Sequence, residues 1–272
     1  MKKLYSILIS IILVFSLFGC NNTSNTEILE KADSILANLD SYSIKMDFDI
    51  EMKSTMFSIT MKIGMNCDAF TKPDKIKMDM TMDIPMLSMN ERAEFYSEEA
   101  EDGIYMYSCV QGKWIKEGPI SFENYREMTT SPSQLSLSSM FDKAIRTEVN
   151  FADKKAYCLS TALDMEEINK VMSSMGSPQD SGMTDLLEVL KYEKIPIRAY
   201  IDKDNYHLLA MEMDMGNLMK KVMAEEGAEI KECTMLAKIE YYNFNSVPNF
   251  EIPEEAKNAD NNPYDIPQDD IF

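Results

Sequence analysis

Apolar and polar residues alternate along several segments of the chain, and this period of two predicts β-strands. From Ile44 to Lys53 an apolar side chain falls at every second position, with Lys, Asp or Glu between them. The same pattern recurs at residues 57–66 and in the stretch KIKMDMTMDI, residues 75–84. Strands of this kind have one apolar and one charged face, which is typical of an antiparallel sheet packed on one side only.

Turn signals divide the next region into a meander of strands. RAEFYSEEA at 92–100 is followed by an Asp-Gly pair, and IYMYSCV at 104–110 is followed by Gln-Gly and KWIKEG. Asp-Gly between alternating runs is a strong hairpin signal. Later strands are predicted at the segments 153–162, 195–202, 206–215 and 233–245.

Helical spacing of apolar residues predicts a helix over residues 24–40, opened by a capping box of Ser24 and Glu27. Another helix is predicted from the Asp164–Glu167 capping pair to Gly176. Shorter helices are predicted at the segments 122–128, 133–146, 184–192 and 217–226. The order of elements predicts an α+β fold in which helices cover the apolar face of a long antiparallel meander.

The N-terminus has the features of a secretory signal. Two lysines precede an uncharged apolar run from Leu4 to Phe18, which is shorter than the roughly 20 residues that a spanning helix needs. The run ends in Leu-Phe-Gly-Cys, which resembles the lipobox of bacterial lipoproteins. The resemblance implies that residues 1–19 are removed, that Cys20 receives a diacylglyceryl group, and that two acyl chains such as palmitate anchor the protein. Residues 20–25 are then a short lipidated tether.

The charge balance excludes one class of partner. The chain has 46 Asp and Glu against 27 Lys and Arg, a formal net charge of −19. Nucleic-acid binding needs a basic footprint, so no nucleic acid is expected as a partner. We interpret the acidic side chains as a solvated surface that favours solubility.

Several stretches together resemble the LolA-like lipoproteins, in particular a largely uncharacterised Gram-positive branch of that family. They are a Tyr-Ser pair after the first helix, KPDKIKM at 72–78, IYMY and GKWIK within 104–116, and AYIDKDNYHLLAMEMD at 199–214. The resemblance implies one domain over residues 26–247, built as a strongly curved, incomplete antiparallel β-barrel with helices covering its concave face. It further implies that acyl chains or lipid-modified molecules are held, or sensed, between sheet and helices.

Catalytic and metal-binding patterns are absent from the sequence. His207 is the single histidine, so a Ser-His-Asp or Cys-His site would have to use it, and its place in a predicted hairpin favours a surface strand residue. The segment 202–205 begins like a calcium loop, but its sixth position is His207 rather than Gly and its twelfth is Met213 rather than Glu. We therefore expect no enzyme, no cofactor and no metal site.

The apolar strand faces are rich in methionine, which adapts to varied apolar partners. Two interpretations stay open: these faces line a site for acyl chains, or they pack against helices that themselves contain Met172, Met175, Met219 and Met223. The candidate ligand-lining residues are Met46, Phe48, Ile50, Met52, Phe57, Ile59, Met61, Ile63, Ile76, Met78, Met80, Met82, Met211, Met213 and Met215.

Four cysteines remain besides Cys20, namely Cys67, Cys109, Cys158 and Cys233. An even number in an exported protein permits two disulfides in three pairings, and buried free thiols are the alternative.

We expect a protein anchored to the extracytoplasmic face of the cell membrane through Cys20, which binds a lipid or another hydrophobic ligand. The alternative is a sensor or interaction module that binds another protein of the cell envelope. Residues 248–272, rich in Pro, Asn and Asp, are expected to form a loosely packed or disordered tail.

Overall fold

The structure, a computed structural model, describes residues 23–55, 57–122, 136–164, 167, 194–225 and 227–259. Within this part of the chain, eleven strands form one sheet in the order β6-β5-β4-β3-β2-β1-β11-β10-β9-β8-β7, and every neighbouring pair is antiparallel. Strands β6 and β7 are its two edges, so the sheet does not close into a barrel. The predicted fold class, an α+β fold built on a large antiparallel sheet that does not close into a barrel, is confirmed.

The strands have these bounds: β1 Ser41–Ser54, β2 Ser58–Thr71, β3 Asp74–Ile84, β4 Met89–Ala100, β5 Gly103–Val110, β6 Lys113–Ile120, β7 Ile145–Phe151, β8 Lys154–Asp164, β9 Lys194–Asp202, β10 Leu208–Asp214 and β11 Ile230–Tyr242. The helices are α1 Asn25–Ala37, α2 Leu137–Phe141, α3 Gly216–Glu225 and α4 Glu254–Lys257, and a 3-10 turn covers Pro85–Leu87. None of these helices is long and apolar enough to span a bilayer.

The alternation along β1 separates two faces of the sheet. We call the side that carries Ile44, Met46 and Phe48 the inner face, and the side that carries Lys45 and Asp47 the outer face. Because directly opposed residues of neighbouring strands point to the same side, the register assigns every strand residue to one of these faces.

Helix α1 starts where the sequence predicts it. The side chain of Ser24 accepts a hydrogen bond from the backbone N–H of Glu27, at 3.1 Å, and so caps the helix. Ile28, Leu29 and Ala32 are fully buried against inner-face residues of β8 and β9, among them Leu159. This packing forms the main core and lies over the β7–β10 half of the sheet.

Asp33 of α1 connects this helix to α2. Its carboxylate accepts hydrogen bonds from the backbone N–H groups of Leu137, at 2.8 Å, and Ser138, at 3.1 Å, and from the hydroxyl of Ser138 at 2.8 Å. A carboxylate at the first turn of α2 satisfies N–H groups that have no partner inside the helix. The short helix α2 is therefore held in place by α1.

The prediction of a helix over 133–146 is wrong at its C-terminal end. Helix α2 ends at Phe141, and Ile145 begins strand β7, which pairs with β8 over its whole length. The segment becomes a strand because it pairs with β8, although its own sequence gives only a weak apolar pattern. Strand β7 is short, and Ile145, its first residue, is 74% exposed.

The capping pair predicted at Asp164 and Glu167 is present, since each side chain accepts a hydrogen bond from the other residue's backbone N–H at 2.9 Å. The helices predicted beyond it, to 176 and at 184–192, and all but the first residue of the one at 122–128, lie outside the described residues.

The expectation of a loosely packed tail is wrong for residues 248–259. Ile252 and Ala256 are buried against Tyr96 and Tyr107 on the outer face, at the β4–β5 end of the sheet. Phe250 joins them, with its ring 6.2 Å from that of Tyr96. The tail therefore covers an aromatic cluster on the outer face of the sheet.

All four cysteines of the described chain are free thiols, so the two disulfides that the sequence permits do not form. Cys67, Cys109, Cys158 and Cys233 lie on β2, β5, β8 and β11, and no two of these strands are neighbours in the sheet. Cysteines on separated strands are beyond the reach of a disulfide.

Candidate functional site

The inner face brings the predicted methionine strands together. Thirteen of the fifteen candidate residues lie on this face of β1, β2, β3 and β10, in the register that the alternation predicts. Phe57 and Met215 lie just outside the strands, before β2 and after β10. The face is nevertheless not uniform, because the described helices cover one part of it and leave another part open.

The part of the inner face near β10 is filled by the protein's own helices. Met211 and Met213 pack against the main core beneath α1 and α2, and Met215 contacts Leu218 and Val222 of α3. At β1, Met46 packs against a second core cluster that contains Leu39. These methionines pack against other described side chains and belong to the interior.

A cleft of about 320 Å³ lies in front of the other half, across strands β3 to β6. Its volume is at the lower end of the range for small-molecule sites, about 300–1,000 Å³. Two candidate residues, Ile76 and Met78, belong to its lining. The inner-face residues that line it are Ile76, Met78, Phe95, Ser97, Met106, Ser108 and Glu117.

Two rows of directly opposed residues form the floor of this cleft. In one row Ile76 faces Ser97, Ser97 faces Met106, and Met106 faces Glu117. In the other row Met78 faces Phe95 and Phe95 faces Ser108. Four of the seven side chains are apolar, so the floor is a mainly apolar surface with a few polar groups, as is usual for ligand sites.

The methionines next to the cleft are only partly shielded from water. Met80 and Met82 of β3, and Met61 and Met65 of β2, are half-buried, and the core clusters of the described residues do not include them. Within the described chain, the partly exposed apolar surface therefore continues from the cleft along β3 and β2. A ligand that covered it would remove apolar area from water.

Sequence reasoning missed the residues of β4 to β6 that complete the cleft. Phe95 lies in an alternating run with Ala93 and Ser97, and a small polar residue in the apolar phase hides the pattern. Met106 and Ser108 repeat the same mixture on β5. Only the strand register reveals that these residues share one face with the methionines of β3.

Ser97 is the most unusual polar group of the cleft. The residue is only 8% exposed, and among the described residues its buried hydroxyl oxygen has no hydrogen-bond partner. Of its direct neighbours on the face, Ile76 has no polar side-chain atom and Met106 offers only a thioether sulfur, which is a weak acceptor. Buried polar groups without a partner are rare in native proteins and need an explanation.

The outer face behind the cleft is firmly packed. Tyr107 donates a hydrogen bond to Glu98 at 2.9 Å, and burial together with this carboxylate raises the pKa of its phenol. Burial likewise raises the pKa of Tyr96, with a further contribution from Glu94. Because both rings are fixed by the C-terminal segment, the strands that carry the cleft are supported from behind.

A second hollow, of about 280 Å³, has a different character. Its lining includes Lys45, Lys154 and Glu240. Lys45 already pairs with Asp47 at 2.7 Å and Lys154 with Asp202 at 3.4 Å. Charged groups that are paired within the chain make this hollow a poorer site for an apolar ligand than the cleft.

The single histidine is part of the structure of a turn. The ring of His207 stacks on Phe244, with 4.1 Å between the ring centres, and burial lowers its pKa. Asp202 caps the same turn by accepting a hydrogen bond from the N–H of Asp204 at 2.9 Å. Among the described residues, no three His, Cys, Asp or Glu side chains are grouped so as to hold a metal ion.

The predicted lipidation site, Cys20, lies outside the described residues.

Comparison with known proteins places the chain among proteins without an assigned function. A family model described as "Family of unknown function (DUF6612)" matches residues 24–261. Among curated proteins, none matches the chain.

Three solved structures similar to this one have low sequence identity and TM-scores below 0.5. LprF from Mycobacterium bovis has 12% identity and a TM-score of 0.45, with 82% of this chain and 95% of that chain covered. A Vibrio parahaemolyticus domain named for outer membrane lipoprotein sorting has 11% identity and a TM-score of 0.25, with 86% and 98% covered. A DUF1329 family protein from Desulfovibrio piger has 9% identity and a TM-score of 0.25, with 83% and 93% covered.

Proposed function

Because the chain belongs to the family of unknown function DUF6612, whose description names no activity, we propose a function from its own site. The protein binds a lipid or another hydrophobic ligand on the inner face of the sheet and is not an enzyme. The observation that carries this proposal is the cleft across β3 to β6, an apolar hollow that lies apart from the main core beneath α1 and α2.

The chemistry of the lining suits a flexible apolar ligand. Met78 and Met106 have unbranched side chains that can change rotamer to fit a chain of methylene groups. Phe95 adds a flat apolar surface between them. Each methylene group transferred from water to such a surface contributes about 0.8 kcal/mol.

The proposed lipid anchor agrees with this role. Cys20 precedes Thr23, the first described residue, by three positions, and three residues span at most about 11 Å. The carbonyl of Thr23 accepts a hydrogen bond from Arg146 on edge strand β7. A diacylglyceryl group on Cys20 would therefore hold this edge of the sheet close to the extracytoplasmic surface of the cell membrane, which is a source of lipid.

Binding of the neutral fluorescent dye N-phenyl-1-naphthylamine tests the proposal. We expect the full chain carrying Cys20→Ser to give a saturable fluorescence increase. Met78→Trp places a larger ring in the cleft and is expected to weaken binding about tenfold or more. The matched control is Met86→Trp, at an exposed position of the β3–β4 connection, which should leave binding unchanged.

A dye that fails to bind with saturation contradicts the proposal. So does equal weakening by the two tryptophan variants, because the site would then not be the cleft. Circular dichroism of each variant verifies that the sheet is intact.

A second function is favoured by the apolar tip between β3 and β4. Met86 and Leu87 expose more than half of their surface there, and Met89 is exposed beside them. Exposed apolar patches are typical of interaction surfaces. In this alternative the protein is a sensor or interaction module of the cell envelope, and Met86→Trp rather than Met78→Trp would impair its function.

A further inference from the structure

The cleft contains a polar group that an ordinary apolar ligand would leave without a partner. The hydroxyl of Ser97 is buried and has no hydrogen-bond partner in the part of the chain that the structure describes, and it lies between Ile76 and Met106 in the same row of the floor. A hydroxyl can donate one hydrogen bond and accept others. Its burial is unfavourable unless a bound molecule supplies the missing partner.

Access to Ser97 depends on side chains that can move. Met106 lies directly opposite Ser97 on β5 and is only half-buried. Its unbranched side chain can adopt several rotamers at small cost. A ligand that displaced it would bring its own polar atom next to the Ser97 hydroxyl.

The charge of the cleft restricts the ligand further. Glu117 ends the row that contains Ser97, on edge strand β6, and it is exposed. The nine described residues of the lining include this carboxylate and no Lys or Arg. The whole chain also has a formal net charge of −19. An anionic headgroup would therefore be repelled at the cleft, whereas an uncharged headgroup would not.

We propose that the cleft selects uncharged lipids with a hydrogen-bonding ester or hydroxyl group and rejects free fatty-acid anions. This inference rests on the proposed function, since it names the class of ligand for the same site. The acyl chain lies on Met78, Phe95 and Met106. The ester carbonyl accepts a hydrogen bond from Ser97, and Glu117 excludes a carboxylate from the mouth of the cleft.

Two probes of equal chain length test the selection. Monopalmitoylglycerol is uncharged and palmitate is an anion at pH 8, and each displaces N-phenyl-1-naphthylamine from the full chain carrying Cys20→Ser. We expect monopalmitoylglycerol to bind about tenfold more tightly than palmitate, both below their critical micelle concentrations.

Two substitutions test whether Ser97 and Glu117 cause the preference for the uncharged lipid. Ser97→Ala is expected to weaken monopalmitoylglycerol about tenfold relative to the dye, because only the lipid loses a hydrogen bond. Glu117→Gln is expected to tighten palmitate about tenfold relative to monopalmitoylglycerol, because only palmitate is an anion. Ser58→Ala, at an exposed outer-face position of β2, is the matched control and should change neither.

The possible failures are distinguishable. If palmitate binds as tightly as monopalmitoylglycerol, or if Ser97→Ala leaves both unchanged, the selection is overturned and the binding function stands. If neither the dye nor either lipid binds, the proposed function and the selection fail together.

Discussion

At the scale of single residues, two polar groups are buried in surroundings that make their burial energetically unfavourable. Ser97 is buried without a partner in the cleft, and Asp74 is half-buried beside Glu99 at the start of β3. The backbone N–H of Asp74 donates a hydrogen bond to the Glu99 carboxylate at 3.1 Å, which brings the two acidic residues together. Burial raises the pKa of Asp74, and the charge of Glu99 raises it further.

We predict that Asp74→Asn stabilises the protein at neutral pH. A folded-state pKa above the unfolded value means that ionised Asp74 opposes folding, so its favourable contribution is present at low pH and is lost as the pH rises through the folded pKa. The advantage of the Asn variant should therefore be seen at pH 7 and disappear below about pH 4. Urea unfolding at both pH values measures it.

Removing any negative charge lowers the electrostatic repulsion within a chain of net charge −19 and can raise its stability, so Asp49→Asn is the control. Asp49 is exposed on the outer face of β1. If the two variants stabilise equally at pH 7, or if the Asp74 effect persists at pH 3, the local explanation is wrong.

At the scale of elements, the segment after β11 decides how the outer face is shielded. The sequence of this segment, with its Pro, Asn and Asp residues, predicts a loose tail, yet Ile252 is 97% buried against Tyr96 and Tyr107. The two aromatic rings lie on the charged face of β4 and β5, and nothing in the sequence pattern of these strands predicts that another segment covers them. Such long-range contacts are visible only in the folded chain.

We predict that Ile252→Ala lowers the free energy of unfolding by about 2–4 kcal/mol, because it opens a cavity beneath a fixed segment. The neighbouring exposed residue offers a matched control, since Glu251→Ala should change stability by less than about 0.5 kcal/mol. Equilibrium unfolding in urea compares them. Equal stability of both variants would show that the tail does not contribute to the core.

The long strands are more predictable than the short edge strand β7, for a physical reason. Alternation over ten or more residues, as in β1, β2 and β3, reports a face that is apolar along its whole length. Strand β7 is short and exposes Ile145, so its pairing with β8 rather than its own pattern makes it a strand. Elements that depend on a partner are hard to read from one sequence.

At the scale of the whole molecule, the described helices fill one half of the inner face and leave the other half open. Helices α1 and α2 pack on the strands from β8 to β10, and the cleft lies across β3 to β6. The methionine pattern predicts the face, but it cannot tell which half is covered, because alternation records apolarity and not the neighbour. For that reason Met213 belongs to the core and Met78 to the cleft, although both follow the same pattern.

The division also explains how one sheet can be stable and still bind a ligand. The filled half supplies a core with fully buried side chains such as Ile28, Leu159 and Ile201. The open half is supported from behind by the C-terminal segment, so its apolar surface need not be covered for the strands to remain paired. A ligand would then complete the core instead of creating it.

Native mass spectrometry of the full chain carrying Cys20→Ser, purified from bacterial cells without detergent, tests the central claim most directly. We predict one lipid per protein molecule at near-stoichiometric occupancy, released on activation as a neutral species, and strongly reduced occupancy in Met78→Trp. Protein that retains its fold but is found only at the mass of the bare chain, for both the parent and the variant, would contradict the account.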